Sequence, residues 1–266
     1  MNYTHREKER RYVQMEFVGI FDSGFGGLTS VMEFRRLMPE ENIIFFGDNA
    51  RAPYGARSRE EIRAFTAEIL ELFRALGAKA VLAACGTISL NAGDVIKGCG
   101  LPSANVLSPT VELIAASKEE TPLGIIATEA SVRSRGYELE LRRLGVEREL
   151  VSVPCPDFVT LIEAGVPCQD ERVKQAVEKY LLPIKEAGCT SLLLGCTHYG
   201  IIEPAIREFL GEGVGIISAA GCGASALAEL LKEQGLAGGE GITEYRTSGN
   251  IEEFRRIASK ILGYSI

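Results

Sequence analysis

The chain is expected to be α/β: two pseudo-symmetric lobes, each a mostly parallel sheet flanked by helices, with an active site in the cleft between them. Three observations carry this. Short apolar runs alternate with segments of helical period along the chain, the pattern of parallel strands covered on both faces. Two segments align without gaps, Gly77-Ala-Lys-Ala-Val-Leu-Ala-Ala-Cys85 and Gly188-Cys-Thr-Ser-Leu-Leu-Leu-Gly-Cys196, with glycine on glycine and cysteine on cysteine. Val18-Gly19-Ile20-Phe21 likewise resembles Leu123-Gly124-Ile125-Ile126. The expected division is a polar extension over 1–16, a first lobe from 17–109 plus 217–266, and a second lobe over 110–216.

Phe17 to Phe21 reads as a buried strand entering the Gly-rich turn Asp22-Ser-Gly-Phe-Gly-Gly27. Leu28 to Leu37 carries helical spacing and stops before Pro39. Asn42 to Phe46 is a second strand. Ser58 with Glu61 forms a capping-box pattern, opening a helix to about Leu76. Ala80 to Ala84 is a strand delivering Cys85, followed by a helix from about Ile88 to Lys97 and a short strand Asn105 to Leu107. The rhythm then restarts. Helix Val111–Ser117, strand Leu123–Ala127, a turn Thr128–Ser131, helix Arg135–Leu144, strand Leu150–Val153, a helix or turn Pro156–Glu163 and helix Asp170–Glu186 follow. Strand Leu192–Leu194 delivers Cys196. Helix Glu203–Phe209, strand Val214–Ile217, helix Ala219–Gln234, strand Thr243–Thr247 and helix Ile251–Ile261 complete the reading.

Composition narrows the function classes. With 46% hydrophobic and 24% charged residues, the 266-residue chain is an ordinary globular one, long enough for a real core. A net charge of −7 argues against a nucleic-acid surface. No apolar run is long enough to cross a bilayer, and the charged start of the chain is no secretory signal. The seven cysteines contain no CxxC pair and are odd in number, which fits a reducing cytoplasm rather than a disulfide scaffold.

In open α/β sheets, ligands bind beyond the carboxyl ends of strands. Asp22, Asp48, Cys85, Thr128 and Cys196 all fall just past such ends. A free cysteine is most often simply buried. Two at matched positions of a repeat, each opening a turn, point instead to a pair of reactive thiols, and a helix N-terminus would poise both near neutral pH. His198 is one of only two histidines. A lone histidine is more often structural, but two residues from Cys196 it becomes a proton partner. Cys85, Cys196 and His198 could also ligate zinc. The close-paired zinc spacing is missing, so no metal is expected. Asp22 and Ser23 precede a turn that can be purely conformational or an anion cradle, with Asp22 as a base or an ammonium partner. Gly24-Phe-Gly-Gly27 matches neither a dinucleotide fingerprint nor a P-loop. Pro53-Tyr54-Gly55 is a rigid turn, Glu163 alone reads as a solvated carboxylate, and Thr87, Thr128, Ser131 and Thr197 read as caps or carboxylate donors.

At these residues the chain resembles the glutamate racemase family of the aspartate/glutamate racemase superfamily. The matching segments are GIFDSGFGGLT (Gly19 to Thr29), FFGDNARAPYGARS (Phe45 to Ser58), ACGT (Ala84 to Thr87), GIIATEASVRS (Gly124 to Ser134) and LLLGCTHY (Leu192 to Tyr199). The resemblance implies cofactor-independent racemisation of glutamate for peptidoglycan, a cytoplasmic enzyme and a possible homodimer. It assigns Cys85 to the α-proton of the D enantiomer and Cys196 to that of the L enantiomer. Asp48, Glu163 and His198 become acidic and imidazole assistants. Asp22, Ser23, Pro53, Tyr54, Gly55, Gly86, Thr87, Thr128, Thr197 and His198 become substrate-binding positions. The chain departs from the family where Gly86 replaces asparagine, Ser131 replaces threonine, and Ile217-Ser218-Ala219 lacks the aspartate of the family's IDS. These departures predict weaker or altered recognition of glutamate. The rival expectations are a racemase of aspartate or another acidic amino acid, a non-catalytic binding relative, and a one-cysteine thiol hydrolase.

Overall fold

A computed structural model describes residues 16–266; the polar extension over 1–16 lies, but for Glu16, outside them. The first sheet contains β1 (Phe17–Asp22), β2 (Ile43–Gly47), β3 (Ala78–Ala83), β4 (Ser103–Asn105) and β9 (Thr243–Thr247) in the order β4-β3-β1-β2-β9. The second contains β5 (Leu123–Ala127), β6 (Leu150–Pro154), β7 (Ser191–Leu194) and β8 (Gly215–Ser218) in the order β6-β5-β7-β8. All pairings are parallel. Helices α1 (Leu28–Leu37), α2 (Arg59–Ala75), α3 (Gly86–Lys97) and α4 (Ser108–Ser117) belong to the first half. Then come α5 (Glu129–Arg133), α6 (Gly136–Arg143), α7 (Pro156–Glu163), α8 (Glu171–Glu186), α9 (Glu203–Leu210), α10 (Ala219–Glu233) and α11 (Ile251–Leu262).

The internal repeat is a register match. Val18 pairs with Ala80, and Leu123 with Ser191, the residues that the two alignments equate. Beyond the strands, Ala84 N–H donates to Phe21 O and Gly195 N–H to Ile126 O, both at 2.8 Å. The repeated glycines share one job, clearance under a covering helix. A Cβ on Gly19 would stand 2.8 Å from the Phe73 ring of α2, and one on Gly124 would stand 2.7 Å from Ile184 of α8.

Each sheet is buried on both faces, as parallel strands must be. In β1 the alternation sends Phe17 and Phe21 toward Ile62, Ile69 and Phe73 of α2. Val18 and Ile20 face the other way, into a cluster that continues through α1 and α10 to Leu192 and Leu194 of the second sheet. The lobes therefore share one apolar core on their inner side. α2 begins with the capping box read from sequence: Glu61 N–H donates to Ser58 Oγ at 3.2 Å and Ser58 N–H to Glu61 Oε2 at 2.9 Å.

Four expectations are corrected. β4 ends at Asn105 rather than Leu107, because the Asn105 side chain accepts from Leu107 and Ser108 N–H at 2.9 Å each and turns the chain into α4. The turn expected over Thr128–Ser131 is a short helix, α5, set off from the expected helix (α6) where Arg135 takes φ 52°. A 3₁₀ turn, Thr197–Ile202, follows Cys196. The boundary at 216 would cut β8, which pairs with β7 through Ser218. Ser218 also caps α10 through Gly221 N–H at 3.2 Å, a role open to serine as well as aspartate.

Candidate active site

One cavity of about 570 Å³ opens between the carboxyl ends of the two sheets. Asp22, Ser23, Pro53, Tyr54, Gly55, Cys85, Gly86 and Thr87 line it from the first lobe. Thr128, Ser131, Glu163, Cys196, Thr197 and His198 line it from the second. Every site residue expected from sequence is there except Asp48.

Strand-end geometry explains the convergence. Cys85 follows β3 as the N-cap of α3, and Cys196 follows β7 at the start of the 3₁₀ turn. Because the lobes are copies, the two thiols occupy equivalent positions of opposed sheets. Their surroundings differ. Cys85 is buried, with Ser23 Oγ 3.4 Å from its sulfur. Cys196 Sγ lies 3.7 Å from His198 Nδ1, and His198 Nε2 lies 3.0 Å from Glu163 Oε1. That chain of thiol, imidazole and carboxylate lets the imidazole exchange a proton with the sulfur while Glu163 holds the ring.

The charges are correspondingly unequal. Burial raises Asp22 most, against the opposing His198 charge and Gly24 N–H bond, and its carboxyl stands at about 6. Burial and then the Asp22 charge push the Cys85 thiol up to about 12. The expectation that both thiols sit near neutral is thereby corrected for Cys85. Its helix N-terminus is outweighed by desolvation and an adjacent carboxylate. Burial alone would lower His198, but hydrogen bonds to Cys196 and Glu163 and the charges of Cys196 and Asp22 carry it to about 10. It is therefore an imidazolium at neutral pH.

The lobes touch around these groups. Thr29 Oγ1 donates to Thr197 O at 2.8 Å, and a Cβ on Gly26 would sit 2.4 Å from His198 Nδ1. Gly86 lies under Gly195 O and the Tyr137 hydroxyl, at 3.3 and 3.4 Å from an added Cβ. Tyr137 donates to that same carbonyl at 3.1 Å. Gly86→Asn is expected to fit after a shift of a few tenths of an ångström and to lower KM for glutamate by adding a polar anchor. Steady-state kinetics check it, and an unchanged KM removes the missing-anchor explanation.

Asp48 is not a cleft residue, which corrects its placement among the catalytic assistants. It is fully buried behind Tyr54, accepting from the Tyr54 hydroxyl, from Arg51 Nε at 2.6 Å and from Ser248 Oγ at 2.6 Å. It fixes the Pro53-Tyr54-Gly55 wall and ties it to the C-terminal segment. Asp48→Asn should cost about 2 kcal/mol, since Arg51 loses one of its two carboxylates but keeps Glu68 and is partly solvated. Urea unfolding followed by circular dichroism measures this. The pH profile of turnover should not move, because Asp48 faces no reacting atom.

Cys155 and Arg133 also line the cavity and were not anticipated. Cys155 had a signal. It follows β6 as Asp48 follows β2, with Cys155 N–H on Ala127 O and Asp48 N–H on Asp22 O, both at 3.0 Å. Arg133 had none, since an exposed helical arginine reads as solvated. No cluster of three or more His, Cys, Asp or Glu side chains able to hold a metal occurs among the described residues, and no described helix is long and apolar enough to cross a membrane.

Comparison with known proteins fits this geometry. The family model for Asp/Glu/hydantoin racemases matches residues 30–227. The chain belongs to that family. A curated glutamate racemase of Bacillus cereus is 36% identical over 253 residues, 94% of each chain. A glutamate racemase isoform from Bacillus anthracis superposes with a TM-score of 0.84 at 33% identity, covering 94% of this chain and 95% of that one. A glutamate racemase from Francisella tularensis, solved in complex with D-glutamate, gives 0.83 at 31% identity with the same coverage. This racemase family member thus shares its two-lobed fold and its length with those enzymes.

Proposed function

We propose that the chain interconverts L- and D-glutamate by proton transfer at Cα between two opposed thiols, with no cofactor, and so supplies D-glutamate for peptidoglycan. The observation that carries this reading is that the two repeat-ending cysteines line one cavity from opposite lobes, each with its own acid–base partner. One thiol cannot invert a stereocentre by itself, since it reaches a single face.

In the L-to-D direction the Cys196 sulfur, as thiolate beside the His198 imidazolium, takes the Cα proton. The electron pair of the broken C–H bond moves into the α-carboxylate, where Thr87 and Thr197 are in place to donate hydrogen bonds. The Cys85 S–H then gives its proton to the opposite face. This leaves a Cys85 thiolate and a Cys196 thiol, the reagents for the reverse reaction. The high value for Cys85 suits an acid that holds its proton until a carbanion needs it; to prepare the D-to-L direction, Asp22 beside it takes the Cys85 proton while the His198 imidazolium gives one to the Cys196 sulfur.

The signs fix a pH dependence. Asp22 is ionised above about 6, and His198 is protonated below about 10. Turnover should therefore be bell-shaped, falling below about 6 and above about 10. A rate profile from pH 5 to 11 checks it, and Asp22→Asn should erase the acid limb.

The deciding experiment follows L- and D-glutamate and L- and D-aspartate in deuterated water by chiral chromatography and proton NMR of Cα. Glutamate should racemise and gain deuterium at Cα. Exchange of aspartate alone would establish the rival acidic amino acid, and exchange of neither would leave a binding protein. The same reading puts the chain in the cytoplasm, which suits its seven unpaired cysteines, and as a homodimer, for which light scattering is the test.

A further inference from the structure

Glutamate at neutral pH carries two carboxylates and one ammonium, so it reaches the site as an anion. The chain it approaches is itself anionic, at −7. The cavity wall adds Asp22, Glu129 and Glu163. Two basic side chains share that wall, His198 and Arg133. His198 is already engaged by Glu163 and Cys196. Arg133 is different. It is exposed, at the end of α5, and forms no ion pair or side-chain hydrogen bond among the described residues. Glu129 stands four residues before it, the spacing at which helical ion pairs form, yet the two are not paired. Most other arginines of the described fold bind a carboxylate or a carbonyl, as Arg51, Arg63, Arg142, Arg148, Arg172 and Arg246 do.

Its position decides which part of the substrate it serves. The reacting Cα must lie between the sulfurs, with its carboxylate near Thr87 and Thr197. One wall of the cavity is built by the Pro53-Tyr54-Gly55 turn meeting α5, where a Cβ on Gly55 would stand 2.9 Å from Ala130 Cβ. The distal carboxylate of a five-carbon diacid such as glutamate projects toward that wall, and Arg133 is the cation there.

We infer that Arg133 is a substrate-recruiting residue, an uncommitted guanidinium on α5 that attracts and holds the side-chain carboxylate of the acidic amino acid at the cleft mouth. The inference rests on the acidic amino-acid racemase reading above. An exposed charge acts through a screened field, so its effect is modest, falls on binding rather than chemistry, and fades with salt.

The test compares the parent enzyme with Arg133→Gln and Arg133→Lys, for both glutamate enantiomers, from about 10 mM to about 500 mM KCl, where screening shortens from about 30 Å to a few ångströms. At low salt Arg133→Gln should raise KM about three- to fivefold with kcat within about twofold, the scale of one exposed ion pair. Arg133→Lys should stay within about twofold of the parent, and high salt should close the gap between parent and Gln variant. An unchanged KM at low salt overturns the inference. So does a rise that salt leaves intact or that lysine does not restore, since that marks a structural role. Calorimetric titration of D-glutamate into parent and Arg133→Gln reads the same change in affinity without turnover. A parent enzyme that binds glutamate but never exchanges its Cα proton would instead sink the racemase reading and leave the Arg133 comparison standing on its own.

Discussion

Cys85→Ser and Cys196→Ser should each lower glutamate racemisation by about 10³-fold or more, since each removes one of two acid–base groups that the inversion needs. A serine hydroxyl is the same shape with far weaker acidity, so loss reports chemistry rather than packing. The informative part is what survives. With Cys85 replaced, Cys196 still reaches the L enantiomer, so L-glutamate should exchange its Cα proton in deuterated water and remain L. With Cys196 replaced, only D-glutamate should exchange. Proton NMR and chiral chromatography on the same samples separate exchange from inversion. If either variant racemises within tenfold of the parent, the two-thiol reading fails.

His198→Asn should lower kcat/KM by about 10²-fold. The fall must be equal in both directions, because enantiomers have equal free energy and the ratio of the two efficiencies is fixed. The asymmetry appears in isotope effects. His198 contacts Cys196 and not Cys85. Deuterium at Cα should therefore slow L-glutamate more in the variant than in the parent, since deprotonation by Cys196 becomes limiting. For D-glutamate the Cα isotope effect should shrink, because return of the proton from Cys196 becomes the slow step. The basic limb of the pH profile near 10 should also disappear. Equal isotope effects in both directions would show that His198 does not act through Cys196.

Gly26 complements this test. It faces His198 from the first lobe, where even a methyl group would stand 2.4 Å from Nδ1. The imidazole is thus held from both sides of the cleft, by Glu163 on its own lobe and by the close approach of the other. A lobe displacement would loosen the Cys196 partner first.

Most of the fold was readable because its signals are local. The capping box at Ser58 and the apolar strands are satisfied within a few residues of where they are read. The repeat was readable for another reason: two copies of one unit impose one register, so Val18 with Ala80 predicts Leu123 with Ser191. What misled were competitions decided at a distance of a few ångströms in space. Asn105 ended a strand by accepting from the Leu107 and Ser108 N–H groups, which turns the chain away from the strand direction. Asp48 sits past a strand end like the cleft residues, yet Arg51 and Ser248 claim it. The second partner is 200 residues away in sequence.

By itself the sequence determined the chemistry available: two thiols at matched strand ends, one histidine beside the second, and a carboxylate before the Gly-rich turn. Covalent order and strand periodicity are enough to place those side chains at one edge of each sheet. Only the tertiary structure decided what surrounds each thiol. Protonation depends on burial and on neighbours brought together by folding, so Cys85 meets Asp22 in a dry wall while Cys196 meets an imidazolium held by Glu163. Two cysteines that are equivalent in the repeat thereby stand in unequal surroundings, one beside a buried carboxylate and one beside an imidazole.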